Sequence, residues 1–348
     1  MKYCLAFLFL VVGYIFGTAC IAEDRLVART SLILKHPPIN KSIGNPVHCL
    51  AFLKEDSWLA TGATSGIHVW DARTGDLLHT LEADERSVDA LAQDAQGKRL
   101  ISGGASGVIR VWDARTLKPM AKLGQTSGAV RSLAISANGR LLATASPNSP
   151  PSPGNEPFGI LFWDLTTNEL VQRIELPPPT FGSTALAFLD DNHIVAAQDR
   201  CFRLIDVQKG SVVKVVEMHS LPRTIGCLAI NSEGQLVTGV FEARLRLWNT
   251  NDWKQLLAWD AHHKQPSPRC GVSAVSFSPD GTHVLSGGLD GTVCVWEATT
   301  GRQLLELDGR GASTNGWVTG VAMASNNRLL SATHFGGSAT IWRLEIEK

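Results

Sequence analysis

The sequence predicts an all-β chain folded as one closed ring of seven four-stranded antiparallel sheets, completed by an N-terminal strand. Three observations predict it. Residues 262–296, HHKQPSPRCGVSAVSFSPDGTHVLSGGLDGTVCVW, alternate short apolar runs with turn residues. The runs 272–277 and 282–285 flank Pro279-Asp280-Gly281, where Pro sets φ and Gly accepts positive φ, so they read as a hairpin. Runs at 292–296 and 303–307 follow Gly-containing turns and complete a unit of four strands, a to d. Second, the strand-c anchor recurs as Trp70, Trp112, Trp163, Ile205, Trp248, Trp296 and Trp342, at intervals of about 42 to 51 residues, the span of a four-stranded repeat. Third, strand a stacks in columns: Val47, Val88, Val130, Ile225, Val272 and Val318, then Leu50, Leu91, Leu133, Leu186, Leu228, Val275 and Val321. Small residues follow that second column in every unit, from Ala51 to Ala322, as strands converging on one axis require.

Taken in order, the chain opens with Met1-Lys2, an apolar run 5–17, then Thr18, Ala19, Cys20 and Ala22, the regions of a secretory signal. Residues 1–22 are therefore expected to be a signal peptide and 23–348 the mature, exported ring. Two other readings stay open, a lipid-modified Cys20 and an uncleaved anchor, since residues 5–22 carry no charge. Residues 28–34 form a spare strand ahead of unit 1, and unit 7 ends with too little chain for its own strand d. The spare strand is expected to pair with residues 340–344, closing the ring and covering an edge. Units 1 to 3 carry strict Trp-Asp pairs. Unit 4 departs most, with Ile205 as anchor and Asp199-Arg200 in its b–c turn; Asn249 and Arg343 break the acid pattern in units 5 and 7.

In unit 6, His262, Ser286, Asp290 and Trp296 stand where hydrogen bonds in series would tie the strands together. This pattern resembles the WD-repeat β-propeller family, which implies a seven-bladed β-propeller and gives those four residues the role of a structural brace. His219, Thr238, Glu242 and Trp248 read as a variant set in unit 5, and the other units read as lacking the His. A repeating Trp-anchored unit accounts for His, Ser and Asp without a hydrolase triad.

Composition bounds the function. The chain has 44% apolar and 18% charged residues, so it can bury a large core. Its 32 basic and 32 acidic residues form no like-charge run, so neither nucleic acid nor an anionic membrane is expected as partner, apart from a lipid anchor at Cys20. Cys49, Cys201, Cys227, Cys270 and Cys294 show no metal-ligand spacing, and no metal or cofactor is expected.

The a–b and c–d connections hold nearly one length, whereas the d–a and b–c loops vary. Those loops share one face, the usual binding surface of a repeat architecture. A Pro-rich insert, 147–157, belongs to that face. At the start of strand a the polar column His48, Asp89, Arg131, Thr184, Gly226, Ser273 and Thr319 rings the axis, and Phe158, Phe181, Phe241, Trp317 and Phe335 lie near it. His48, Asp89, Arg131, Phe158, Trp317 and Phe335 are the candidate partner-binding residues. The leading expectation is a monomeric, non-enzymatic scaffold for a protein or peptide. The alternative is an exported propeller enzyme or small-ligand binder resembling quinoprotein dehydrogenases, whose repeats share turns such as Glu297-Ala-Thr-Thr-Gly301. The chain has no adjacent Cys pair, CxxCH, GxSxG or phosphate-cradling loop, so no catalytic residue is assigned.

Overall fold

The computed structural model describes residues 25–39, 45–83, 86–126, 128–145, 158–177, 184–218, 224–240, 242–262, 271–308 and 316–347. The expected signal peptide, Cys20, the insert 147–157, Phe181, His219, Phe241 and Cys270 lie outside them. The described strands form seven four-stranded antiparallel sheets. Six follow sequence order. In the seventh, strands Val318–Met323, Leu329–His334 and Ser338–Glu347 take Arg25–Lys35 as their outer strand. Ala28 sits opposite Leu344 and Leu34 opposite Ala339, with one irregularity between Arg29 and Ser31. The ring is thus closed by the N-terminal strand, as expected, and the C-terminal strand has no open edge.

The seams between blades hold the core. Seven apolar clusters each span two neighbouring blades, and the last joins Leu34 and Ile341 of blade 7 to Leu59 and Trp70 of blade 1. Each strand-c anchor is buried against the preceding blade: Trp112 packs with Val69, Trp163 with Val111, Trp296 with Leu247. Blade 4 obeys the same geometry with the sizes exchanged. Its small anchor Ile205 faces Phe162, fully buried in blade 3, where other blades present Val, Leu or Ile. The combined volume is kept, as close packing demands.

Turn chemistry sets the two ends of each blade. In the c–d turns the acid after the anchor accepts backbone amides: Asp71 Oδ1 from Arg73 and Thr74, both at 2.8 Å, and Asp113 Oδ1 from Arg115 at 3.0 Å and Thr116 at 2.7 Å. This Asx geometry is why Asp follows Trp so often here. At the close approach of adjacent blades glycine is required. A Cβ on Gly287 would lie 2.2 Å from Val318 Cγ1, and one on Gly62 2.8 Å from Val88 Cγ1.

Candidate functional site

The first residues brought together are the brace of blade 6. Trp296 Nε1–H donates to Ser286 Oγ at 2.8 Å, and Ser286 Oγ lies 2.8 Å from His262 Nε2. His262 Nδ1 faces Asp290 Oδ1 at 3.2 Å and Thr292 Oγ1 at 2.8 Å. With a carboxylate on that side, Nδ1 carries the proton and Nε2 accepts from the Ser286 hydroxyl. The Asp290 carboxyl is held below the usual range: burial opposes this but is outweighed by the His262 hydrogen bond and charge and by Thr292. His262, Ser286 and Trp296 are buried, Trp296 at 5% exposed, and Asp290 is half-buried, so the hydrogen-bond series ties the strands together from within the blade.

The expectation that units other than 5 and 6 lack the His is corrected in blade 1. His36 Nε2 lies 2.7 Å from Thr61 Oγ1, which also accepts Trp70 Nε1–H at 2.9 Å. His36 follows the outer strand of blade 7 as His262 follows the outer strand of blade 5. Counting residues from a preceding anchor misses it, because the preceding anchor is Trp342 and the connection runs across the ring closure. Burial, with the neighbouring His68, pushes His36 down to about 3. The Trp-to-hydroxyl half of the brace recurs at Trp112–Ser102, Trp163–Thr144 and Trp248–Thr238. In blade 4 Ala196 stands at the hydroxyl position beside Ile205, so both partners are replaced together.

The polar column at the mouth of the axis proves to be a column of β-bulges. Strand pairing skips one residue at His48, Asp89, Gly226, Ser273 and Thr319, and Arg131 and Thr184 immediately precede the first paired residue of their blades. A bulged residue leaves the ladder and its side chain is re-aimed. Part of the column is then spent on joining blades. Thr319 Oγ1 donates to Val47 O at 2.7 Å and Ser273 Oγ to Val318 O, each reaching the next blade, while Thr184 is buried. The charged members sit together on blades 1 to 3. Ser87 Oγ–H donates to Asp89 Oδ1 at 2.7 Å, and Arg131 is exposed. His48 is lowered by burial and by Arg131, against the opposing pull of Asp89.

Blade 7 supplies the aromatic flank of this arc. Phe335, 44% exposed, lies 5.7 Å from Trp317 and 6.0 Å from His48 between ring centroids. Phe158 is a correction: it is 4% exposed, packed with Ile160, Ile174 and Leu186 between blades 3 and 4. Its carbonyl accepts the Leu176 amide at 3.0 Å, so it already belongs to the ladder edge and its ring turns into the seam. Of the six candidates, the structure therefore gathers His48, Asp89, Arg131, Trp317 and Phe335 around the mouth.

Among the described residues no group of three or more His, Cys, Asp or Glu is placed to hold a metal ion. Burial raises the thiols of Cys49 and of Cys227, the latter to about 12, which suits packing residues. No described helix is long and apolar enough to cross a membrane.

The seven four-stranded sheets in a closed ring define a seven-bladed β-propeller. Comparison with known proteins agrees: the family model "WD domain, G-beta repeat" matches residues 38–71, 75–113, 117–149 and 253–297. Blades 4 and 7 and the first three strands of blade 5, whose anchor or acid departs from the pattern, lie outside those stretches, as does the Trp163 strand of blade 3. The WD40 repeats of RRP9 superpose with a TM-score of 0.76 at 18% identity, covering 93% of this chain and 100% of that one. The structure of U3-55K gives 0.74 at 18%, covering 90% and 98%. Among curated proteins, "Small ribosomal subunit protein RACK1y" of Oryza sativa subsp. japonica is 31% identical over 110 residues, 32% of this chain and 29% of its own. "Guanine nucleotide-binding protein subunit beta" of Arabidopsis thaliana is 29% identical over 150 residues, 41% of this chain and 38% of its own. The chain matches under half the length of these relatives.

Proposed function

We propose that this chain is a non-enzymatic interaction module that binds a protein or peptide on the face carrying the d–a and b–c loops. The observation that carries the reading is the arc at the axis mouth: His48, Asp89 and Arg131, released from the ladder by bulges, beside the exposed ring of Phe335. Charged groups that can fix register, next to an aromatic anchor, are what a peptide-binding surface needs. The variable loops of the same face suit it to one partner, and the braces leave the blades rigid beneath. The leader-like residues 1–22 support export of the mature domain to the periplasm or outside the cell.

The experiment is capture of partners from the exported fraction. Replacing Arg131, Trp317 and Phe335 by Ser should weaken capture while the melting temperature holds. Arg115→Glu with Arg302→Glu, on the opposite face, should leave capture intact. The reverse outcome places the binding face on the wrong side, and a visible chromophore in native protein would favour the quinoprotein-like reading instead.

A further inference from the structure

A groove lies on the opposite face, at the seam where blade 7 meets blade 1. It encloses about 380 Å³, is open to solvent along one side, and is lined by Leu32, Ala72, Arg73, Leu329, Ile341 and Arg343. Leu32 pairs opposite Ile341 and Leu329 opposite Arg343, so these four form one wall on the sheet of blade 7. Ala72 and Arg73, from the c–d turn of blade 1, form the other.

The charge here departs from the rest of the ring for a structural reason. Arg343 occupies the position that Asp71, Asp113, Asp164 and Asp206 hold in blades 1 to 4, where the carboxylate caps the c–d turn. In blade 7 strand c runs on to Glu347 and its outer partner comes from the N-terminus, so there is no such turn to cap. A cation stands instead, at the edge of an apolar groove. The neighbouring carboxylates are engaged chiefly elsewhere: Asp71 accepts its turn amides, with the Arg73 charge a lesser influence on it, and Glu345 and Glu347 pair with Arg29. Neither Arg73 nor Arg343 enters an ion pair among the described residues. Guanidinium groups flanking an apolar groove are matched by a carboxylate on an apolar body.

We infer that this groove binds the C-terminal end of a partner chain whose last residues are apolar, the terminal carboxylate meeting Arg73 and Arg343 and the side chains lying on Leu32, Leu329 and Ile341. A peptide fits better than a fatty acid because the groove is open along one side. The exposed edge of the ligand then carries amides that water can solvate, whereas an acyl chain would leave apolar surface wet. The volume falls in the range of small-ligand sites.

The test is fluorescence anisotropy on the full chain with a fluorescein-labelled hexapeptide ending in Leu-Leu, as free acid and as C-terminal amide. The free acid should bind saturably, and the amide, Arg343→Gln and Arg73→Gln should each weaken it by at least about tenfold, the loss expected for a charge-assisted hydrogen bond. Both side chains are exposed, so circular dichroism and melting should be unchanged, and Arg131→Ser should bind the peptide normally, which separates this site from the loop-face reading. Equal binding of acid and amide overturns the assignment. So does the absence of saturable binding up to about 1 mM peptide, where affinity is no longer meaningful, or binding of dodecanoate in place of the peptide.

Discussion

Removing the central hydroxyl of a brace should destabilise the ring by an amount that depends on how many groups it satisfies. Ser286 is fully buried and serves both Trp296 Nε1 and His262 Nε2 at 2.8 Å. Ser286→Ala orphans both, and at roughly 1–3 kcal/mol per unsatisfied buried group the loss is about 2–6 kcal/mol. Thr61 in blade 1 has the same double duty, to Trp70 and His36, so Thr61→Val should cost a similar amount. Thr144 in blade 3 accepts from Trp163 at 3.2 Å, and no His bond to it is present among the described residues. Thr144→Val should therefore cost only about 1–2 kcal/mol. Keeping a β-branched side chain in the Thr variants confines the change to the hydroxyl. The assay is urea unfolding followed by far-ultraviolet circular dichroism, with comparison of midpoints at constant slope. Equal losses at Thr61 and Thr144 would refute the idea that His36 completes the brace of blade 1, and a loss below about 1 kcal/mol at Ser286 would refute the brace itself.

Deleting residues 25–35 strips the outer strand of blade 7 and bares Ser338–Glu347, so size-exclusion should show association; a monomer with unchanged melting would mean the ring closes without that strand. Burial pushes His36 down to about 3 and His334 to about 4, below the unfolded value of 6.5. Their stability contribution is thus complete above about pH 6.5 and lost as pH falls, by about 1.4 kcal/mol per unit for each, or about 2 kcal/mol each at pH 5. His36→Gln should flatten the pH 5–6.5 slope of unfolding free energy, a window above most carboxylate titrations, and an unaltered slope would remove His36 from the account. Ile205→Trp should overpack the seam against Phe162 and cost about 1–3 kcal/mol, with Phe162→Val restoring part of it; a gain from Ile205→Trp alone would show a void there. Mass spectrometry of the mature protein should find Glu23 at the N-terminus, and an intact Met1 or a lipid on Cys20 would displace that reading.

What the sequence determined by itself is whatever is encoded locally and repeated. A Trp must be buried, an Asp two or three residues ahead of free amides caps a turn, and Pro-Asp-Gly folds a hairpin. Seven recurrences of such units state the number of blades, and the unit-7 shortfall with a spare strand at residues 28–34 states how the ring closes. The brace of blade 6 is legible for the same reason, since its four residues fall within one repeat. Tertiary structure alone decided what depends on neighbours across a seam. His36 joins Thr61 and Trp70 only after the chain ends have met, so no count from the preceding anchor finds it. Phe158 looks like a surface aromatic until the edge pairing at Leu176 turns it into the seam of blades 3 and 4. Ile205 looks like a defect until Phe162 is seen opposite. The column from His48 to Thr319 is polar in sequence, but which members remain for a partner follows from the bulges and from hydroxyls that reach the next blade. Pairing across the ring is a contact between residues far apart in the chain, and a one-dimensional pattern carries no record of it.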